Sequence, residues 1–113
     1  MSKVFSMHMI ALHPGVKADD FEKFVMEEVN PLPGLEGWKS YILKGDRGDR
    51  EGKYLWMIEF ESAEVRDRLF PSPGEVSQEA QQAFDSQAAV FEKWATFATQ
   101  LDVISTDYVV VGE

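Results

Sequence analysis

The sequence predicts an α+β domain, a four-stranded antiparallel sheet with helices packed against it, and three observations predict this. Apolar patterns follow one another in the order strand, helix, strand, strand, helix, strand, which is the split βαβ or ferredoxin-like arrangement. Three of the four expected strands are apolar on both faces, although the helices of one chain cover only one face. The 113 residues contain no cysteine, so a packed core rather than disulfides must hold the fold.

The elements follow in order. Residues 4–12, VFSMHMIAL, mix β-branched, aromatic and Met side chains and stop at the turn signal His13-Pro14-Gly15. Alternation puts Phe5, Met7, Met9 and Ala11 on one face, and Val4, Ser6, His8, Ile10 and Leu12 on the other. Asp19 or Asp20 marks a helix start, and Phe21, Phe24, Val25 and Val29 recur at helical spacing until Pro31 and Pro33 stop the helix. Residues 37–44 read as the second strand, and 45–52, GDRGDREG, have no apolar member and form the exposed hairpin loop. The third strand, 53–61, alternates Tyr54, Trp56, Ile58 and Phe60 with Leu55, Met57, Glu59 and Glu61. Ser62 is the N-cap of a short helix that ends at Phe70-Pro71-Ser72-Pro73-Gly74. One long helix is expected over about 76–100, with Ala80, Phe84, Ala88, Phe91, Ala95 and Ala98 along one side, and the last strand over 102–111. Residues 1–113 read as one domain, with no internal repeat or low-complexity linker.

Composition excludes several function classes. Eleven Lys and Arg against twenty Asp and Glu give a net charge of −9, which repels phosphate backbones and anionic membrane surfaces, so neither nucleic acid nor a membrane is expected as a partner. No apolar run approaches the roughly 20 residues that span a bilayer, and His8 interrupts the N-terminal stretch, which reads as a strand; a cytoplasmic protein is expected. There is no Gly-rich phosphate loop, no nucleophile elbow and no His pair spaced for a metal, so no cofactor and no metal are expected. Arg47-Gly48-Asp49 spells an adhesion tripeptide in the exposed loop and reads as chance.

Leu32-Pro33-Gly34-Leu35 leads into the second strand, and the third closes on Glu59-Phe60-Glu61-Ser62 before a helix. With HPGVKADDFEKFV before them, these words resemble the dimeric α/β-barrel superfamily, nearest its stress-responsive and antibiotic-biosynthesis-monooxygenase members. The resemblance covers roughly residues 4–70, and the rest by pattern only. It implies a homodimer whose two sheets face each other across a barrel interior. Many members carry a His near the start of the second helical region, where this chain reads Leu69-Phe70-Pro71-Ser72-Pro73; the haem-degrading members hold iron through a helical His, whereas His8 and His13 lie in or just after the first strand.

His8 and Glu59 are the polar interruptions of otherwise apolar strands, and both are candidate catalytic groups. A His titrates near neutrality and suits a general base; a desolvated carboxylate has a raised pKa and serves as acid or base. If strands one and three are neighbours, the two residues could meet on one cavity wall. Tyr41, Met57, Asp107 and Tyr108 are candidate substrate contacts, although a register slip of one residue would turn each outward. Trp38, Trp56 and Trp94 could line a pocket for a flat ligand, or be core. Each has a plainer reading: His8 satisfied by a neighbour, Glu59 in a salt bridge at the sheet end, the rest packing.

Three functional readings stay open. One is a cofactor-independent, monooxygenase-like enzyme acting on an aromatic or polyketide-like molecule, with His8 as base and Glu59 or Tyr41 orienting. The second is a non-catalytic stress-type protein that binds a small apolar ligand. The third is a structural homodimer with an acidic helical surface.

Overall fold

The computed structural model describes residues 2–112. The chain forms β1 (Val4–Leu12), α1 (Ala18–Phe24) continued by a π-helical turn over Val25–Val29, β2 (Trp38–Lys44), β3 (Tyr54–Phe60), α2 (Ala63–Leu69), α3 (Gln78–Ser86), α4 (Ala88–Phe97), β4 (Ala98–Gln100) and β5 (Thr106–Val109). The sheet is antiparallel throughout, in the order β2-β3-β1-β4, with β5 also paired to β1. This α+β order is compatible with the ferredoxin-like pattern. The sheet has five strands where four were expected.

Two corrections concern the C-terminal half. The expected single helix over 76–100 is two helices broken at Gln87, whose backbone leaves the helical region at φ −115° and ψ 19°. The break re-aims the chain. Ala80 and Phe84 of α3 pack with Val4, Ile58, Phe60 and Leu69, whereas Val90, Trp94 and Phe97 of α4 pack with Ile10, Phe21, Phe24, Val25 and Tyr54. A straight helix could not serve both clusters. At the end of α4, the His13 ring donates to the Ala95 carbonyl (2.8 Å) and the His13 backbone N–H to that of Phe97 (2.9 Å), satisfying carbonyls that the helix cannot.

The expected last strand over 102–111 is instead two short strands, β4 and β5, along the same edge of β1. Residues Val4–Met7 pair with β5 and Ile10–Leu12 with β4. Between them, residues 101–105 leave the ladder. The Leu101 N–H donates to the Met9 carbonyl (2.8 Å), and the Asp102 carboxylate accepts the Met9 N–H (3.1 Å), so a side chain stands in for a strand where pairing lapses. His8 sits beside this gap.

Register fixes the two faces. Val4, Ser6, His8 and Ile10 lie opposite Phe60, Ile58, Trp56 and Tyr54, on the helix-covered side. Phe5, Met7, Met9, Leu55, Met57, Tyr41 and Leu43 lie on the other side, which no element among the described residues covers. Tyr41 and Leu43 there retain 39% and 38% of their exposure. The covered side holds two buried clusters, and His8 and Trp56 form a row between them.

Other expectations hold locally. The Ser62 hydroxyl accepts the Val65 N–H at 3.3 Å, as an N-cap should. Gly37 enters β2 at φ +82°, and a Cβ there would lie 2.8 Å from a Val65 methyl, so β2 approaches α2 closely only because this residue is glycine.

Candidate functional site

A cavity of about 670 Å³ lies on the covered side of the sheet, where β1 and β5 meet α2 and the loop over Phe70–Gly74. Ile58, Phe60 and Phe70 make its apolar surface, and Ser6, His8, Arg66 and Asp107 its polar one. The 101–105 detour forms its outer rim through Ile104 and Ser105. The lapse in strand pairing therefore opens space next to His8.

The His8 ring stacks on Trp56 across the β1–β3 pair, with centroids 4.5 Å apart and planes at 28°. Its Nε2 is 3.2 Å from the Ser6 hydroxyl, two residues away on the same face. Its Nδ1 is sealed from solvent and has no hydrogen-bond partner. Burial pushes the imidazole below its ordinary value, and the Gln100 side chain and the carboxylates of Asp107 and Asp102 pull the other way without reversing the shift. Gln100 comes near enough to act on the ring, yet no contact of hydrogen-bond geometry satisfies Nδ1. At neutral pH the ring is uncharged, and among the described residues its Nδ1 has no hydrogen bond.

Arg66 is a site residue that the sequence reading missed. Its guanidinium donates to Asp107 (2.7 Å) and to Asp67 (2.8 Å), and these two carboxylates hold it more firmly charged despite partial burial. A signal was present. Once Ser62 fixes the start of α2, Val65 and Leu69 mark its inner face, and Arg66 follows one position on, at the edge of that face. The positive charge is matched by two negative ones, an exposed Asp67 and a partly buried Asp107.

Of the other candidates, only Asp107 joins His8. It lies opposite Ser6 in the β1–β5 pair, on the covered side. Glu59 does not. It pairs in register with Phe5 and Lys39 on the uncovered face, where its carboxylate lies 3.5 Å from the Lys3 ammonium. The expectation that His8 and Glu59 meet on one wall is thus corrected. The strands are neighbours, but odd and even positions point through opposite sides of the sheet. Tyr41 and Met57 face each other across β2 and β3 on that same uncovered side, and Tyr108 lies beside Phe5 there. Tyr41 also reaches the rim of a second cavity at the β2 edge, which Trp38 and Trp56 line.

Among the described residues no group of His, Asp and Glu is arranged to hold a metal ion, and no helix is long and apolar enough to cross a membrane. No family model matches the chain, and a search of curated proteins found no match.

Proposed function

We propose that this chain is a homodimeric small-molecule-handling protein whose His8 cavity takes a neutral aromatic or polyketide-like compound, and that it acts on that compound as a cofactor-independent, monooxygenase-like enzyme. The observation that carries the reading is a neutral, partly buried imidazole on the wall of a 670 Å³ cavity, one of whose ring nitrogens has no hydrogen bond. That volume falls in the range of about 300–1,000 Å³ typical of small-molecule sites, and such sites pair apolar walls with a few polar groups.

Charge narrows the ligand class. Arg66 is matched by Asp67 and Asp107, and the chain carries a net −9, so an anionic ligand finds no unpaired cation in this cavity and a repulsive field around it. His8 would take a proton from an acidic C–H or O–H of the bound molecule. The resulting carbanion would pass electrons to dioxygen and bond to it; loss of water from that adduct leaves a carbonyl. For a tricyclic anthrone the sum is anthrone plus O₂ giving anthraquinone plus H₂O.

The homodimer rests on the uncovered sheet face. Phe5, Met7, Met9, Leu55 and Met57 lie side by side there, and leaving large apolar side chains wet costs roughly 1.5–3 kcal/mol for each one fully exposed. A second copy offers the same apolar face, as a two-fold interface requires.

The non-catalytic reading has one observation in its favour: Nε2 is engaged by Ser6 and Nδ1 is sealed, so a ligand must displace a contact before the ring can accept its proton. Anthrone oxidation, followed by oxygen uptake and quinone absorbance, separates the two. Turnover that falls at least a hundredfold in His8→Ala, with the dimer intact, supports the enzyme. Saturable anthrone binding without turnover selects the binding protein, and neither binding nor turnover overturns the assigned site. A monomer at micromolar concentration in sedimentation overturns the dimer.

A further inference from the structure

The covered side of the sheet holds a second cavity, of about 480 Å³, at the β2 edge. We propose that it is a binding site in its own right, taking a neutral planar aromatic molecule, and that it works independently of the His8 cavity.

Two departures from regular structure make this groove. The α3–α4 break falls at Gln87, which lines the groove, and its side chain donates to the Pro33 carbonyl at 3.1 Å. On the opposite rim, the last turn of the first helix is π-helical, closing with Asn30 N–H to the Val25 carbonyl at 2.8 Å. Such turns widen a helix and are frequent at functional sites. The result is a stretch of β2 that its own helices leave uncovered: Ser40 points to the helix side of the sheet, by its register with Ile58, and is exposed.

The walls name the ligand class. Trp38 and Trp56 line the groove from the sheet, and Phe84 and Phe91 from the helices. A flat ring system between such walls finds stacking and edge contacts on both sides. The polar groups are few and oriented. The Ser40 hydroxyl accepts the Trp56 indole N–H at 2.6 Å, which leaves the hydroxyl proton free to donate to a ligand oxygen. The Asn30 carboxamide on the rim makes no hydrogen bond among the described residues. Among the described residues no Asp, Glu or Arg lines the groove, and its Lys39 belongs by register to the opposite face of the sheet. A cationic ligand would be desolvated there without a counter-ion. Trp56 also stacks on His8, so the two cavities share one partition while their openings lie on opposite edges of the sheet.

The test uses the full chain and the neutral probe N-phenyl-1-naphthylamine. Its fluorescence should rise to saturation, and the share lost in Ala83→Trp should correspond to one probe per chain. Ala83→Trp, which fills the groove from α3, should weaken binding at the groove at least tenfold, and Ser62→Ala, which removes only the α2 cap, should leave it within twofold. Equal binding by Ala83→Trp and wild type overturns the proposal, as does the absence of saturable binding to the wild type. Should Ala83→Trp fail to fold, backbone amide shifts of the wild-type chain decide. Probe-induced changes concentrated in 32–42 and 83–91 support the groove. Changes confined to 70–74 and 104–107, or to the uncovered sheet face, reject it.

Discussion

His8→Leu separates a core histidine from a site histidine by free energy alone. The substitution removes a ring whose Nδ1 is buried without a partner, an arrangement that costs about 1–3 kcal/mol. It also removes the Ser6 hydrogen bond, worth about 1 kcal/mol, and the stack on Trp56, worth roughly 0.5–1.5 kcal/mol. Gains and losses nearly cancel, so the variant should lie within about 1.5 kcal/mol of the wild type at pH 8; truncating a large, well-packed core side chain typically costs 2–5 kcal/mol. The pH dependence adds a second reading. Burial lowers the His8 pKa in the folded chain, so below pH 6.5 the unfolded chain takes up the proton first. The stability tied to the neutral ring is complete above 6.5 and is lost as pH falls below it, until the folded ring is itself protonated. Wild type should therefore lose more stability than His8→Leu between pH 7.5 and 5. The assay is urea unfolding followed by circular dichroism, at one protein concentration because an oligomer's midpoint depends on it. A loss above about 3 kcal/mol at pH 8, or parallel pH curves, would refute the reasoning.

Three further outcomes are expected. Ser62→Ala removes the α2 cap and should lower stability by about 1 kcal/mol in the same urea assay, with probe binding unchanged. Gly45→Ala places a Cβ 1.9 Å from the Arg50 carbonyl oxygen; the hairpin must reopen, at about 1–3 kcal/mol, and amide exchange should accelerate at Gly52 and Lys53, which bond within it. Glu22 is held below the usual carboxylate range by Lys44 first and the Tyr54 hydroxyl second, so its contribution is present above pH 4.5 and disappears in acid; Glu22→Gln should flatten the acid limb of a stability profile below that pH.

The elements that were legible in the sequence are those that punctuation delimits. His13-Pro14-Gly15, the apolar-free loop after Lys44, and Ser62 each bound an element correctly, because local chemistry decides them. The break at Gln87 was not legible. Ala88 and Ala95 continue the helical stripe on paper, yet both are exposed, and only the presence of two separate clusters in space requires the chain to turn there. The same holds for the lapse between β4 and β5: 102–111 reads as one apolar strand, and nothing local marks the residues that detach. For the site, alternation alone put His8 with Ser6, and it also implied that Glu59 lies with Leu55 and Met57. What the strand pattern lacked was the cross-strand register, which sends His8 to Trp56 and Glu59 to Phe5. Arg66 was overlooked because a charged residue on a short surface helix reads as solvated, until a fifth strand brings Asp107 within 2.7 Å of it.

The five-residue detour between β4 and β5 has a consequence for how this scaffold can diversify. Both buried clusters draw on β1, β3 and the helices, and the detour itself contributes no buried residue to either. Past Asp102, whose carboxylate holds the Met9 N–H, its length and composition are therefore nearly decoupled from folding. Insertions or deletions between Val103 and Ser105 would resize the chamber beside His8, or change what enters it, while the anchoring ladders on either side stay in register. Selection for a new ligand could act on that short stretch alone, leaving the base and its neighbours where they are.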